Sequence, residues 1–142
     1  MKRLHTLDRQ ARTRIEEQLA AGLSTESTIA FAYLYGSFIG SEPFHDMDVG
    51  VYLSSPGPDD DMPFSVVLAQ RLSERLKLPV DVRILNGAPV SFLHHVLRGK
   101  LLVSHDDDLL GEVMEDTIRR YLDIAPILRR SAQEAFADEP QR

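Results

Sequence analysis

The sequence predicts a single α/β (α+β) domain over residues 1–142, a mixed β-sheet flanked by helices. Three observations predict it. The length of 142 residues suits one core. Apolar residues recur alternately at helical and at strand spacing along the chain, which gives a layered fold. There is no cysteine, so neither disulfides nor thiolate metal sites hold the fold together.

The elements follow in order. Leu4, Leu7, Ala11, Ile15 and Leu19 share a helical face, so residues 5–21 read as an amphipathic helix that Gly22 ends. Ile29 to Tyr35 (IAFAYLY) is short, apolar and aromatic, a buried strand stopped at Gly36. Asp48 to Leu53 (DVGVYL) is a second strand, closed by the turn-rich SSPGPDDD. Pro63 sits well in the first turn of a helix whose face is Val66, Val67, Ala69, Leu72 and Leu76. Pro79 breaks that helix, and Val80 to Leu85 (VDVRIL) alternates as a strand.

Pro89 opens a helix with Phe92, Leu93, Val96 and Leu97, and Gly99 closes it. Leu101 to Val103 is a short strand. From about Asp107 a longer helix carries a broad apolar stripe through Leu109/Leu110, Val113/Met114, Thr117/Ile118 and Tyr121/Leu122, interrupted at Pro126 before a last turn or two with Ile127, Leu128 and Phe136. The core is expected over about residues 25–105, with a C-terminal helical segment over about 106–138 and a frayed tail.

Formal net charge is −6, which argues against direct nucleic-acid binding through a general basic surface. The runs Asp59–Asp61 and Asp106–Asp108 read as loops or helix starts. No stretch approaches a membrane span and the N-terminus lacks a signal-peptide core, so the expected setting is cytoplasmic. His94 and His95, adjacent on a helix, point about 100° apart and do not share a metal easily. Arg119, Arg120, Arg129 and Arg130 read as solvated helix faces, or as a dock for an acidic partner surface.

One segment carries chemistry. A buried strand runs into Gly36-Ser37, a turn follows, and Asp46 and Asp48 enter the next strand at i and i+2. Residues so spaced share a face, and two hard carboxylates there suit Mg²⁺, which takes its other ligands from water and phosphates. Gly36 lets backbone approach a ligand closely. Ser37 can offer its hydroxyl and free N–H groups to phosphate oxygens. Asp81 lies 33 residues beyond Asp48 in the next predicted strand. If the strands are neighbours, it adds a carboxylate for a second metal or a base for an attacking hydroxyl; the plainer reading pairs it with Arg83.

The Gly36-Ser37…Asp46-x-Asp48 cluster, with Val80-Asp81-Val82-Arg83-Ile84-Leu85-Asn86 as a third-acid strand, resembles the DNA polymerase beta-like nucleotidyltransferase superfamily. Arg119-Arg120-Tyr121-Leu122-Asp123-Ile124-Ala125-Pro126 resembles the tail of its minimal bacterial and archaeal members. The resemblance covers roughly residues 25–130. It implies a nucleotidyltransferase fold, Mg²⁺ dependence and ATP as co-substrate. Gly36, Ser37 and Arg83 would then hold the nucleotide, and Asp46, Asp48 and Asp81 the metal and the catalysis.

It further implies an antitoxin that attaches AMP to a tyrosine of a HEPN-domain toxin. A non-catalytic binding antitoxin and a stand-alone enzyme acting on a small molecule are the alternatives. The spacer from Ser37 to Asp46 holds eight residues and no Lys or Arg, a departure from the family pattern. Countercharge for a triphosphate is therefore expected from Arg83, Arg71 or Arg75.

Overall fold

The computed structural model describes residues 8–36, 46–55 and 61–137. In chain order the elements are α1 (Arg9–Ser24), β1 (Ile29–Tyr35), β2 (Met47–Leu53), α2 (Asp61–Leu76), β3 (Val80–Ile84), α3 (Val90–Leu97), β4 (Lys100–Ser104) and α4 (Asp107–Ala137). The strands form one mixed sheet in the order β3-β2-β1-β4. β1 runs antiparallel to both β2 and β4, and β2 runs parallel to β3. The parallel step needs a long crossover, and α2 supplies it.

Helices cover both faces. Leu19 and Leu23 of α1 and Leu68, Leu72 and Leu76 of α2 pack on Leu34, Met47, Val49, Val51, Val80 and Val82. Leu93 and Val96 of α3 and Leu110 of α4 pack on the opposite face, against Phe31, Tyr33 and Tyr35. β1, between these layers, is buried at all seven residues, which is why it reads as an unbroken apolar run. Strand alternation therefore sorts β2 and β3 cleanly: Met47, Val49, Val51, Val80 and Val82 point to α1 and α2. Asp48, Gly50 and Tyr52, and Asp81 and Arg83, fall on the α3 side.

Two expectations need correction. Gly22 does not end α1. It is buried inside the helix, where a Cβ would stand 2.9 Å from Leu72 Cδ2, so it serves the close approach of α1 to α2. The helix ends instead where the hydroxyls of Ser24 and Thr25 donate to the carbonyls of Ala21 (2.8 Å) and Gly22 (3.1 Å).

Pro126 does not interrupt the last helix either; α4 runs through it to Ala137. A proline costs one hydrogen bond and a push on the preceding turn. Good helix formers on both sides, among them Leu122, Leu128, Arg129 and Arg130, carry the helix across.

The Asp106 run behaves as expected: Asp106 caps α4 by accepting from Leu109 N–H at 3.0 Å. Asp8, read as lying inside a helix over residues 5–21, instead caps α1 by accepting from Ala11 N–H at 2.7 Å, and the helix runs from Arg9 to Ser24. Leu4, Leu7, Ser37, His45, Asp59, Asp60 and the tail beyond residue 137 lie outside the described residues. Among the described residues no helix is long and apolar enough to cross a membrane.

Candidate active site

The candidate site lies where β1 ends and β2 and β3 begin. Sheet register builds it. Tyr35 pairs with Asp48 across β1 and β2, and Asp48 pairs with Asp81 across β2 and β3. Register partners on adjacent strands point to one face about 4.8 Å apart. Tyr35, Asp48 and Asp81 therefore form a row at one level on the α3 side. Asp46 stands just before β2 and shares the parity of Asp48, while Met47 between them is fully buried on the other face. Met47 N–H donates to the Pro79 carbonyl at 3.0 Å, which continues the β2–β3 pairing up to this edge.

Gly36 has φ +84°, and a Cβ there would lie 2.5 Å from Asp48 Oδ2. Glycine is thus required twice at this position, for the left-handed backbone and for the carboxylate packed against it. Asp81 faces Arg83, with Nε 3.5 Å from Oδ2 and both side chains half-exposed or more. An ion pair this open is worth little in stability, so its interest is positional. The Arg83 guanidinium also lies over the Phe92 ring, 5.9 Å from its centroid.

Tyr35 sits beneath these charges. Phe92 and His95 meet it edge-on at 5.6 and 5.7 Å. Burial first, then the Asp48 carboxylate, pushes its phenol up to about 12. Arg83 opposes the shift and Asp81 adds to it. Tyr35 is therefore a neutral hydroxyl that senses all three charged side chains.

Of the three cations considered for countercharge, only Arg83 is on this face. Arg71 and Arg75 belong to α2, across the sheet: Arg71 pairs with Glu26, and Arg75 lies against the Gly22 turn of α1. The sheet itself separates them from Asp48 and Asp81.

Sequence reasoning missed the contribution of α3. The sequence places Phe92 on an apolar helix face and shows of His94 and His95 only that they do not share a metal easily. His94 stacks flat on Tyr121 at 3.6 Å, as a packing residue would. His95 and Phe92 instead wall the site. Their i, i+3 spacing was the available signal, since it places both on one helix face.

Among the described residues no three His, Asp or Glu side chains are grouped as a metal cage. Asp46, Asp48 and Asp81 are therefore not drawn into one three-carboxylate cage; the register supplies a carboxylate pair, Asp48 and Asp81, on neighbouring strands, with Asp46 two residues before Asp48 in the chain. That fits Mg²⁺, which binds through one or two carboxylates plus substrate oxygens.

Residues 17–108 match the model of the family described as Polymerase beta, Nucleotidyltransferase, a span that holds all four strands and the whole site. The chain belongs to this family. Its fold is shared with three solved structures. One is tri-AMPylated Shewanella oneidensis HEPN toxin in complex with MNT antitoxin, with 20% identity and TM-score 0.67 over 88% of this chain and 98% of that one. A second is a toxin–antitoxin with AMP-PNP, with 22% identity and TM-score 0.69 over 85% and 98%. The third is the toxin–antitoxin MntA–HepT, with 20% identity and TM-score 0.59 over 84% and 98%. No curated protein sequence matches the chain. Most of α4 lies beyond the family match.

Proposed function

We propose that this protein is a Mg²⁺-dependent nucleotidyltransferase that moves AMP from ATP to a hydroxyl, most specifically a tyrosine of a partner HEPN-type toxin, in the cytoplasm. The observation that carries the reading is the register match of Asp48 with Asp81 beside Gly36. In a family of nucleotidyltransferases, that row is where a metal–triphosphate belongs. The toxin partner and AMP as the transferred group are taken from the complexes that share the fold.

Asp46, Asp48 and Asp81 would hold Mg²⁺, which when bound neutralises phosphate charge and makes the acceptor hydroxyl more acidic. Gly36 opens the backbone to the triphosphate. Ser37, outside the described residues, would add its hydroxyl. Arg83 supplies positive charge, matched to phosphate by its planar fork of donors.

In the proposed step the acceptor oxygen bonds to the α-phosphorus as the bond to the bridging oxygen breaks, and pyrophosphate leaves. Asp81 would either help hold the metal or, left free of it, take the hydroxyl proton. Rigid strands fix the in-line approach. The test incubates the protein with labelled ATP, Mg²⁺ and the product of its neighbouring gene, the candidate toxin. Label on that protein, lost in an Asp46→Ala/Asp48→Ala double variant, is expected; equal labelling by both, or none, overturns the reading.

A second reading has its own observation. Beyond Thr117 the apolar stripe of α4 is exposed at Ile118, Leu122, Ile127 and Leu128, a surface suited to stoichiometric binding of a partner. Full neutralisation of the toxin by the double variant would favour binding without catalysis.

A further inference from the structure

We propose that Phe92 is a positioning residue that holds Arg83 at the site, and that Arg83 exchanges its ion pair with Asp81 for the triphosphate when nucleotide enters. This rests on the nucleotidyltransferase reading and deepens it.

Four observations converge. The Ser37–Asp46 spacer has no Lys or Arg, and Arg71 and Arg75 are across the sheet, so of the three cations considered for countercharge Arg83 is the one beside the carboxylates. Arg83 is held from two sides, by the Asp81 carboxylate at 3.5 Å and by the Phe92 ring at 5.9 Å. The second contact is anchored, because Phe92 packs edge-on to Tyr35 at 5.6 Å, and Tyr35 is the register partner of Asp48. α3 thus keys the position of Arg83 to the carboxylate row.

The two contacts differ in what nucleotide does to them. Asp81 is a candidate metal ligand, so a metal–nucleotide competes with Arg83 for its carboxylate. The ring does not ionise or ligate, and its hold on the guanidinium persists. Freed from Asp81, Arg83 stays over Phe92 and turns its donors to the triphosphate, while Asp81 is released to metal or proton. The resting pair spares an acidic site its unscreened carboxylates when nucleotide is absent.

The exchange makes predictions of opposite sign, read as binding by the full chain. Arg83→Gln tightens Mn²⁺ binding to the nucleotide-free protein by a few-fold, because Asp81 loses its competitor. The same variant weakens ATP binding in Mg²⁺ by roughly ten- to a hundred-fold, the usual loss of a charged phosphate contact. Phe92→Leu weakens ATP binding by a smaller factor, Phe92→Tyr restores it, and Phe92→Leu adds nothing in an Arg83→Gln background.

Calorimetric titration of the wild type and these variants decides the matter. Mn²⁺ binding weakened by Arg83→Gln, ATP binding unchanged by it, or additive losses for the two substitutions each overturn the proposal. Should Phe92→Leu fail to fold, the exposed Arg83→Gln arm decides alone. A wild type that binds no ATP overturns the nucleotidyltransferase reading itself, a different result from any of these.

Discussion

Replacing Gly36 with alanine separates backbone strain from site geometry. Gly36 has φ +84°, and holding an L-residue in that region costs roughly 1–2 kcal/mol. For a chain of this size that lowers Tm by roughly 3–8 °C. The new Cβ would also stand 2.5 Å from Asp48 Oδ2, against 3.4 Å for the near edge of ordinary contact, so the carboxylate must retreat by the difference of 0.9 Å. A misplacement of about 1 Å at a reacting centre costs roughly 100-fold in rate. Gly87 is the control, with φ +73° and nothing within 4 Å of its added Cβ. Gly87→Ala should suffer a similar fall in Tm with transfer unchanged, whereas Gly36→Ala should lose roughly 100-fold in single-turnover AMP transfer. Gly36→Ala that melts early yet transfers within two-fold of wild type would refute the claim that Asp48 must sit where it does.

Titrating the Tyr35 phenol by ultraviolet absorption should place its ionisation near 12. Its folded value lies above the unfolded one, so the stability it contributes is complete below about 10 and is lost as pH rises through 12; Asp48→Asn should move the ionisation down. Gly50→Ala should cost about 1–3 kcal/mol in urea unfolding by overpacking, since a Cβ would meet Leu85 Cδ2 at 2.9 Å and Val96 Cγ1 at 3.0 Å. Asn86→Ala should cost about 1–3 kcal/mol, because the Asn86 amide accepts from Leu53 N–H at 2.8 Å and donates to Leu53 C=O at 2.9 Å, closing the end of β2. Asp106→Ala should cost about 1 kcal/mol through the lost cap of α4, with no change in ATP affinity.

The strands were legible because each of β1, β2 and β3 has a pattern that burial enforces. β1 is buried on both faces, β2 is buried along most of its length, and β3 alternates between a core face and a charged face. Adjacency of β2 and β3, on which the role of Asp81 depends, is met by the register match of Asp48 with Asp81. Gly22 and Pro126 misled for a shared reason: both are local helix breakers, and the context outweighed them, close packing on α2 for Gly22 and helix formers on either side for Pro126. Nothing local said which way α2 would face. That orientation set Arg71 and Arg75 apart from Asp48 and Asp81 and left Arg83 beside them. The spacing of Phe92 and His95 puts them on one helix face but does not say that the face meets the site; that comes from the packing of α3 on Tyr35, a contact between residues distant in sequence.

The most direct measurement is a crystal structure of the protein with AMP-PNP and Mn²⁺, its ion located by anomalous scattering. Shared coordination of one Mn²⁺ by Asp48 and Asp81, with a phosphate oxygen completing the shell, is the predicted result. An ion bound away from β2 and β3, or a triphosphate lying on the α1–α2 face, would contradict the account.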